Sequence, residues 1–179
     1  MILEERLATY INSLDTGKTA FLNRIEQYAA EFDVPVIRKE TQQFIKTLLA
    51  IKKPRRILEV GTAIGFSALF MAEYNPVCSE IITIENYEKR IPIARENIKE
   101  AGREAQITLI EGDAQTILPS LKEPFDLIFM DAAKGQYIYF LPELLRLLKE
   151  GGILVSDNVL QDGDVIESRF AVTRRNRTI

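Results

Sequence analysis

The sequence predicts an α/β protein: an open, doubly wound, mainly parallel sheet behind a helical N-terminal segment. Two observations carry this. From residue 56 onward, five short apolar runs, several of them β-branched, alternate with longer segments of helical period. The first fifty residues show helical spacing only. Strand and helix alternating five times is the mark of a parallel sheet covered on both faces. The 179 residues, 46% of them hydrophobic, suffice for one domain with a sizeable core and not for two.

Taken in order, Leu3, Leu7, Ile11 and Leu14 form one apolar helix face. Residues 19–30 read as a second helix. Asp33-Val34-Pro35 is a break, because proline disfavours helix in the residue before it. Phe44, Ile45, Leu48, Leu49 and Ile51 give a third helical stripe, ended by Lys52-Lys53-Pro54. The strands are expected at 57–60, 81–85, 107–111, 125–130 and 153–156. Helices are expected at 66–74, 87–101, briefly around 116–121, and at 141–149, the last stopped by Gly151-Gly152. The whole divides into a helical segment (1–53), an α/β core (54–160) and a basic C-terminal segment (161–179) of one domain.

Composition excludes much. The chain has no histidine and one cysteine, Cys78. Ser-His-Asp and Cys-His catalysis, His-ligated zinc and a disulfide framework are therefore unavailable. Any metal must be held by oxygen ligands, as Mg²⁺, Mn²⁺ or Ca²⁺ would be. Glu4, Glu5 and Arg6 stand where a signal peptide would be apolar, and no run approaches a membrane span, so a cytoplasmic setting with no membrane partner is expected. Residues 168–179 hold Arg169, Arg174, Arg175 and Arg177 and no acid; taking their +4 from the net −3 leaves −7 on the rest. Such a tail could meet phosphate, or simply be a solvated terminus.

In a doubly wound sheet, ligands bind beyond the carboxyl ends of the strands. Acids stand at nearly all of those ends: Glu59, Glu85, Asp113, Asp131 and Asp157, the last followed by Asn158. Helix capping could explain one or two of them; so many on one edge call for a cation or a hydroxyl-rich ligand. The first strand runs into Gly61-Thr62-Ala63-Ile64-Gly65-Phe66-Ser67. This is not the dinucleotide fingerprint, since Ala63 and Phe66 occupy the second and third small positions, and a pyrophosphate is poorly served. A nucleoside without phosphates fits better, with S-adenosylmethionine the obvious candidate. Glu85, 24 residues after Gly61, can accept both ribose hydroxyls, and Gly112-Asp113-Ala114 can bond an adenine amine.

The motifs Leu58-Glu59-Val60-Gly61-Thr62, Glu85, Gly112-Asp113-Ala114, Met130-Asp131-Ala132-Ala133-Lys134 and Asp157-Asn158 resemble those of Rossmann-like class I methyltransferases. More narrowly, they are similar to the cation-dependent O-methyltransferases, the catechol and caffeoyl-CoA group, from about residue 33 onward. Among bacterial members the chain resembles the tRNA 5-hydroxyuridine methyltransferases. The resemblance implies that Glu59, Gly61, Glu85, Asp113, Ala114 and Asp131 contact the cofactor, with Ser67 and a backbone group near Ile37 holding its methionine end. Family members usually continue through a further helix and two more strands, so a truncated C-terminal end is expected, and a homodimer is compatible with the family.

Asp131 and Asp157-Asn158 close the fourth and fifth strands, and neighbouring parallel strands lie about 4.8 Å apart. Two carboxylates and an amide there make a hard, incomplete cage suited to Mg²⁺ or Mn²⁺, although Asp157-Asn158 could also be a turn. A bound cation would lower the pKa of an acceptor hydroxyl. Lys134, three residues after Asp131, could then take the proton, the base role that the resemblance also implies. The expected activity is metal-dependent transfer of a methyl group from S-adenosylmethionine to a hydroxyl, with 5-hydroxyuridine in tRNA favoured over a small catechol because of the arginine-rich tail. A nicotinamide dehydrogenase fails on the glycine pattern, and the non-enzyme alternative is a nucleoside- or RNA-binding module.

Overall fold

In the computed structural model, residues 5–13 and 17–159 are described. Three helices come first: α1 (Glu5–Ser13), α2 (Ala20–Glu31) and α3 (Lys39–Lys52). Thr19 caps α2, accepting from the Leu22 amide. Then follow β1 (Arg56–Val60), α4 (Phe66–Tyr74), β2 (Glu80–Glu85), α5 (Ile91–Glu100), β3 (Ile107–Glu111), α6 (Ala114–Ile117), β4 (Phe125–Met130), α7 (Tyr137–Leu147) and β5 (Leu148–Ser156). The strands form one sheet in the order β3-β2-β1-β4-β5, every pair parallel. The order reverses at β1, so the crevice of a doubly wound fold opens beyond the ends of β1 and β4. No helix among the described residues is long and apolar enough to cross a membrane.

The sheet has an apolar layer on each face. On one, Ile57, Ile81, Leu127 and Phe129 pack with Leu22, Ile45, Leu49, Phe66 and Phe70 from α2, α3 and α4. On the other, Leu58, Val60, Ile84, Ile128 and Met130 pack with Phe140, Leu144 and Leu147 of α7. Successive residues of β1 thus serve opposite faces, as the pleat requires. Both faces being covered, the strands are apolar runs rather than alternating ones.

Several elements depart from the sequence expectation. The helix expected at 87–101 begins at Ile91, because Pro92 fits only the first turn. The last helix runs from Tyr137 to Leu147 rather than 141–149, with Pro142 inside it. Gly151-Gly152 does not end that helix. The pair lies within β5, where the register slips between the Phe125–Leu148 and Leu127–Ile153 pairings. Gly151 has φ +70°, and a Cβ on Gly152 would meet the Lys149 carbonyl at 2.7 Å, so the glycines allow a bulge. In α3, Ile45 and Leu49 are buried but Phe44 and Ile51 are exposed, and Gln42 takes a buried place. Leu7 of α1 is also exposed, while Leu3 and Leu14 lie outside the described residues.

The tightest point is the end of β1. Gly61 has φ +105°, and a Cβ there would sit 2.0 Å from the Asp131 carbonyl oxygen. Both the backbone conformation and the space demand glycine. Gly61→Ala should therefore destabilise the fold by roughly 2–5 kcal/mol, from strain and overpacking together. Gly135→Ala, with open space around it, should change stability by less than about 0.5 kcal/mol. Urea unfolding of the two variants checks this; equal stabilities would refute the crowding argument.

Candidate functional site

The carboxyl ends of the strands enclose a cavity of about 980 Å³. One wall is the turn from β1 into α4. Gly61 and Thr62 donate to the Ile84 carbonyl, and Gly61, Ala63 and Gly65 all have positive φ. The turn is held from two sides. Asn97 of α5 donates to the Ile64 carbonyl at 2.8 Å. The Glu85 carboxylate accepts from the Ala63 amide at 2.7 Å with one oxygen, and from the Asn86 and Tyr87 amides with the other. Glu85 is thus a fastener of the turn as well as a wall residue. Oε2, which accepts only the Ala63 amide, retains acceptor capacity for a ligand hydroxyl.

The adjacent wall comes from β3. The Gly112 amide donates to the Glu85 carbonyl, which fixes the two strand ends together. Asp113 caps α6, accepting from the Gln115 amide at 2.8 Å through Oδ1. Asp113 and Ala114 both line the cavity. The capping role considered for these acids is therefore real at Asp113, and it leaves Oδ2 available.

Ile37 and Ser67 close the cavity on the α3–α4 side. The Ile37 loop is held by Gln42, whose buried amide donates to the Ile37 carbonyl and to Glu26, both at 2.9 Å. Gln42 was not legible as a site residue, for a glutamine on an exposed-looking helix gives no signal until the loop folds back on it.

Glu59 stands apart from the other acids. It is fully buried and does not line the cavity. It faces α4 from within the sheet, beside Thr83 in the β1–β2 ladder. The Thr83 hydroxyl bonds Glu59 Oε2, and the Thr62 hydroxyl bonds that of Thr83. Oε1 makes no hydrogen bond, although the Ser67 hydroxyl lies near enough to favour the anion. Burial above all, with Asp131 and Glu85 adding their negative charge, pushes the Glu59 carboxyl from an ordinary 4.5 up to about 7.

The last wall is the end of β4 and β5. The Asp131 amide donates to the Val60 carbonyl and the Asp157 amide to that of Met130, so the ladder continues one residue past each strand. Asp131 and Asn158 line the cavity, with Asn158 Nδ2 3.5 Å from Asp131 Oδ1. Asp157 Oδ1 accepts the Asn158 amide at 2.7 Å, and Asn158 has φ +58°. The turn reading of this pair is thus correct as far as the backbone goes, since Asn tolerates that conformation. Tyr137, another residue the sequence did not flag, donates its hydroxyl to the Asp157 carbonyl at 3.1 Å. Burial, then the charges of Asp131 and Asp157, push its phenol above the ordinary range. Both charges therefore act on the Tyr137 phenol, although Asp157 itself does not line the cavity.

Among the described residues no group of three or more His, Cys, Asp and Glu side chains could hold a metal ion. Asp131, Asp157 and Asn158 offer two carboxylates and one amide oxygen. A hard cation could use that set only with water or a ligand supplying the remaining oxygens, which fits Mg²⁺ better than a cation needing an all-protein cage. Lys134 opens a 3₁₀ turn, Lys134–Gln136, beside this wall; its side chain, like Arg169, Arg174, Arg175 and Arg177, lies outside the described residues.

Residues 17–179 match the family described as O-methyltransferase. The chain belongs to that family. A catechol O-methyltransferase of Niastella koreensis is 38% identical over 144 residues, covering 77% of this chain and 65% of that protein. A catechol O-methyltransferase of Mycobacterium tuberculosis is 32% identical over 139 residues, covering 77% and 63%. The chain thus spans just under two thirds of the length of these curated relatives. The O-methyltransferase from Bacillus cereus, solved in complex with SAH, superposes with a TM-score of 0.83 at 28% identity, covering 96% of this chain and 80% of that one. The mainly parallel five-stranded sheet with helices is the methyltransferase fold of such neighbours.

For this O-methyltransferase-family chain, the buried Glu59 gives a pH signature. Its folded-state pKa is raised, so its contribution is fully present below about pH 4.5, where both states are protonated. Between there and about pH 7 the unfolded state ionises first, and stability falls. The total fall is about 3 kcal/mol. Glu59→Gln should lack that decline; urea unfolding of both proteins at about pH 5 and about pH 8 checks it, and parallel curves would refute the raised carboxyl.

Proposed function

We propose that the chain is an S-adenosylmethionine-dependent O-methyltransferase that uses Mg²⁺ or Mn²⁺ and acts on two oxygens borne by neighbouring carbons. The observation that carries this reading is a single cavity walled on one side by the Glu85-fastened glycine turn and on the other by Asp131 and Asn158. A nucleoside site and a hard-cation site share one space. The SAH held by the Bacillus cereus neighbour supports the donor, and the names of the two catechol O-methyltransferases support the acceptor class.

When bound, the sulfonium would supply the methyl group and the divalent ion would hold the acceptor oxygens and lower the hydroxyl's pKa. The rest is work for this chain's residues. Glu85 accepts a ribose hydroxyl on Oε2, with the lone pair its backbone bond there leaves over. Asp113 and Ala114 meet the adenine. Ser67 and the backbone at Ile37 hold the methionine end, the Ile37 loop being fixed by Gln42. Asp131, Asp157 and Asn158 are the ligands for the ion. Lys134, three residues beyond Asp131, is the residue we assign to take the acceptor's proton. Alignment of donor and acceptor supplies most of the acceleration in such a scheme.

A second reading takes 5-hydroxyuridine in tRNA as acceptor, giving 5-methoxyuridine. Its support is Arg169, Arg174, Arg175 and Arg177, suited to RNA phosphates. The 5-hydroxyl and the neighbouring 4-carbonyl oxygen present the same chelating pair as a catechol. Labelled S-adenosylmethionine offered with a catechol panel, and separately with tRNA carrying 5-hydroxyuridine, separates the two. We expect Mg²⁺-dependent label on a catechol, abolished by excess EDTA and by Asp157→Ala. Label on tRNA alone would install the second reading, and full activity in EDTA would refute the metal.

Glu85→Ala should weaken S-adenosylmethionine binding by about 2–4 kcal/mol, through a lost charge-assisted hydrogen bond and a loosened turn. Isothermal titration on a variant with an unchanged circular dichroism spectrum measures this. Wild-type affinity there would remove Glu85 from the site.

A further inference from the structure

Glu59 has no part in the scheme above, yet it is the most confined acid in the molecule's described part. Its carboxyl is fully buried on the α4 face of the sheet, with Oε1 unbonded and Oε2 held by Thr83. The charged groups acting on it are Glu85, at the end of β2, and Asp131, beyond β4; both are anions. From α4 it meets only the Ser67 hydroxyl, and Ser67 is itself a wall of the cavity. Among the described residues lining that cavity, Arg90 is the one cation, against Glu85, Asp113 and Asp131. A carboxyl so placed is sensitive to any positive charge that enters the cavity, because the Thr83 and Ser67 hydroxyls favour its anion but no cation is among the charged groups acting on it.

The occupants of the cavity, on the reading just proposed, differ by one charge. S-adenosylmethionine carries an ammonium, a carboxylate and a sulfonium. After transfer, the carbon–sulfur bond has broken with its electron pair left on sulfur, the new oxygen–carbon bond has formed, and S-adenosylhomocysteine is a neutral thioether with the same ammonium and carboxylate. We propose that Glu59 is a charge-sensing positioning residue, acting through Ser67: it keeps its proton while the cavity is empty, yields it to solvent when the sulfonium donor binds, and takes a proton back as the donor becomes the thioether product. Glu59 is then more ionised with the donor bound than with the product, so the preference for donor over product grows with pH. Glu59's raised carboxyl range puts this exchange near neutrality. By linkage, whatever proton the donor displaces, higher pH must favour the donor to the same degree.

The inference rests on the cavity being the S-adenosylmethionine site, and one experiment separates the two. In metal-free buffer at about pH 7, S-adenosylmethionine and S-adenosylhomocysteine are titrated calorimetrically in buffers of different ionisation enthalpy. The expected result is release of a substantial fraction of a proton with the donor and clearly less with the product. Donor affinity should rise severalfold from about pH 6 to about pH 8, while Glu59→Gln releases no proton and shows a flat profile. On the wild-type protein alone, infrared difference spectra should lose a protonated-carboxyl band on adding the donor, which keeps the test open if Glu59→Gln fails to fold. Binding of the donor with no proton released, or equal release by donor and product, or release surviving in Glu59→Gln, overturns the proposal. Absence of donor binding overturns the cofactor reading itself and this inference with it.

Discussion

The end of β1 lies so close to the residue after β4 that no side chain fits between them. A Cβ on Gly61 would fall 2.0 Å from the Asp131 carbonyl, and this contact sets the distance between the glycine turn and Asp131 on the opposite wall. It follows from parallel pairing. The Asp131 amide continues the β1–β4 ladder onto the Val60 carbonyl, so the chain after β4 must pass beside Gly61. The turn takes positive φ at positions 61, 63 and 65; two of these are glycines, which adopt it freely, and the strain falls on Ala63. Ala63 is held in that conformation by the Glu85 carboxylate on its amide. One carboxylate therefore fastens the turn, and one glycine sets its spacing to the rest of the site.

What the sequence revealed is what depends on period and on strand ends. Alternation of strand and helix named the sheet and its parallel sense, and β3, β4 and α4 have the expected bounds. The polar residues at the strand ends gave Glu85, Asp113, Asp131 and Asn158 as cavity residues, because a parallel sheet must bring those ends to one edge; Asp157 does not line the cavity. Gln42, Thr83 and Tyr137 were not legible. Each acts on a partner brought near only by the fold: Ile37 from the loop before α3, Glu59 across the β1–β2 ladder, Asp157 from the next strand. Glu59 was grouped with the other strand-end acids, but it is the last residue but one of β1. The pleat therefore turns it into the α4 layer instead of the cavity. Gly151-Gly152 misled for a related reason. A glycine pair after an apolar helical stretch reads as a helix stop, and here it permits a bulge in an edge strand.

The acids of the site divide by burial. Glu85 has three backbone amides on its carboxylate, so its charge is compensated by dipoles it also organises. Asp113 has the amino end of α6. Glu59 has one threonine hydroxyl and an unbonded oxygen. Carboxylates thus serve as turn fastener, helix cap and buried acid, and the difference lies in how many donors each backbone setting supplies.

That division bears on how a hydroxyl could be activated in a chain with no histidine. A general base must be unprotonated at neutral pH and reach the acceptor. Tyr137 fails the first requirement, since burial and the charges of Asp131 and Asp157 raise its phenol and keep it a hydrogen-bond donor. Glu59 fails the second, being walled off behind Ser67. Glu85 and Asp113 have their carboxylates engaged with backbone amides at the β2–β3 end of the cavity. Asp131 and Asp157 could accept a proton only by surrendering the charge that would hold a cation. On the proposed reading, Lys134 and a bound ion are left for this activation, and they depend on each other. A lysine has an ordinary pKa near 10.4 and is a poor base until a nearby positive charge disfavours its protonated form. An ion that lowers the acceptor's pKa lowers that of an adjacent ammonium as well, so on the proposed reading one cation serves both halves of the proton transfer.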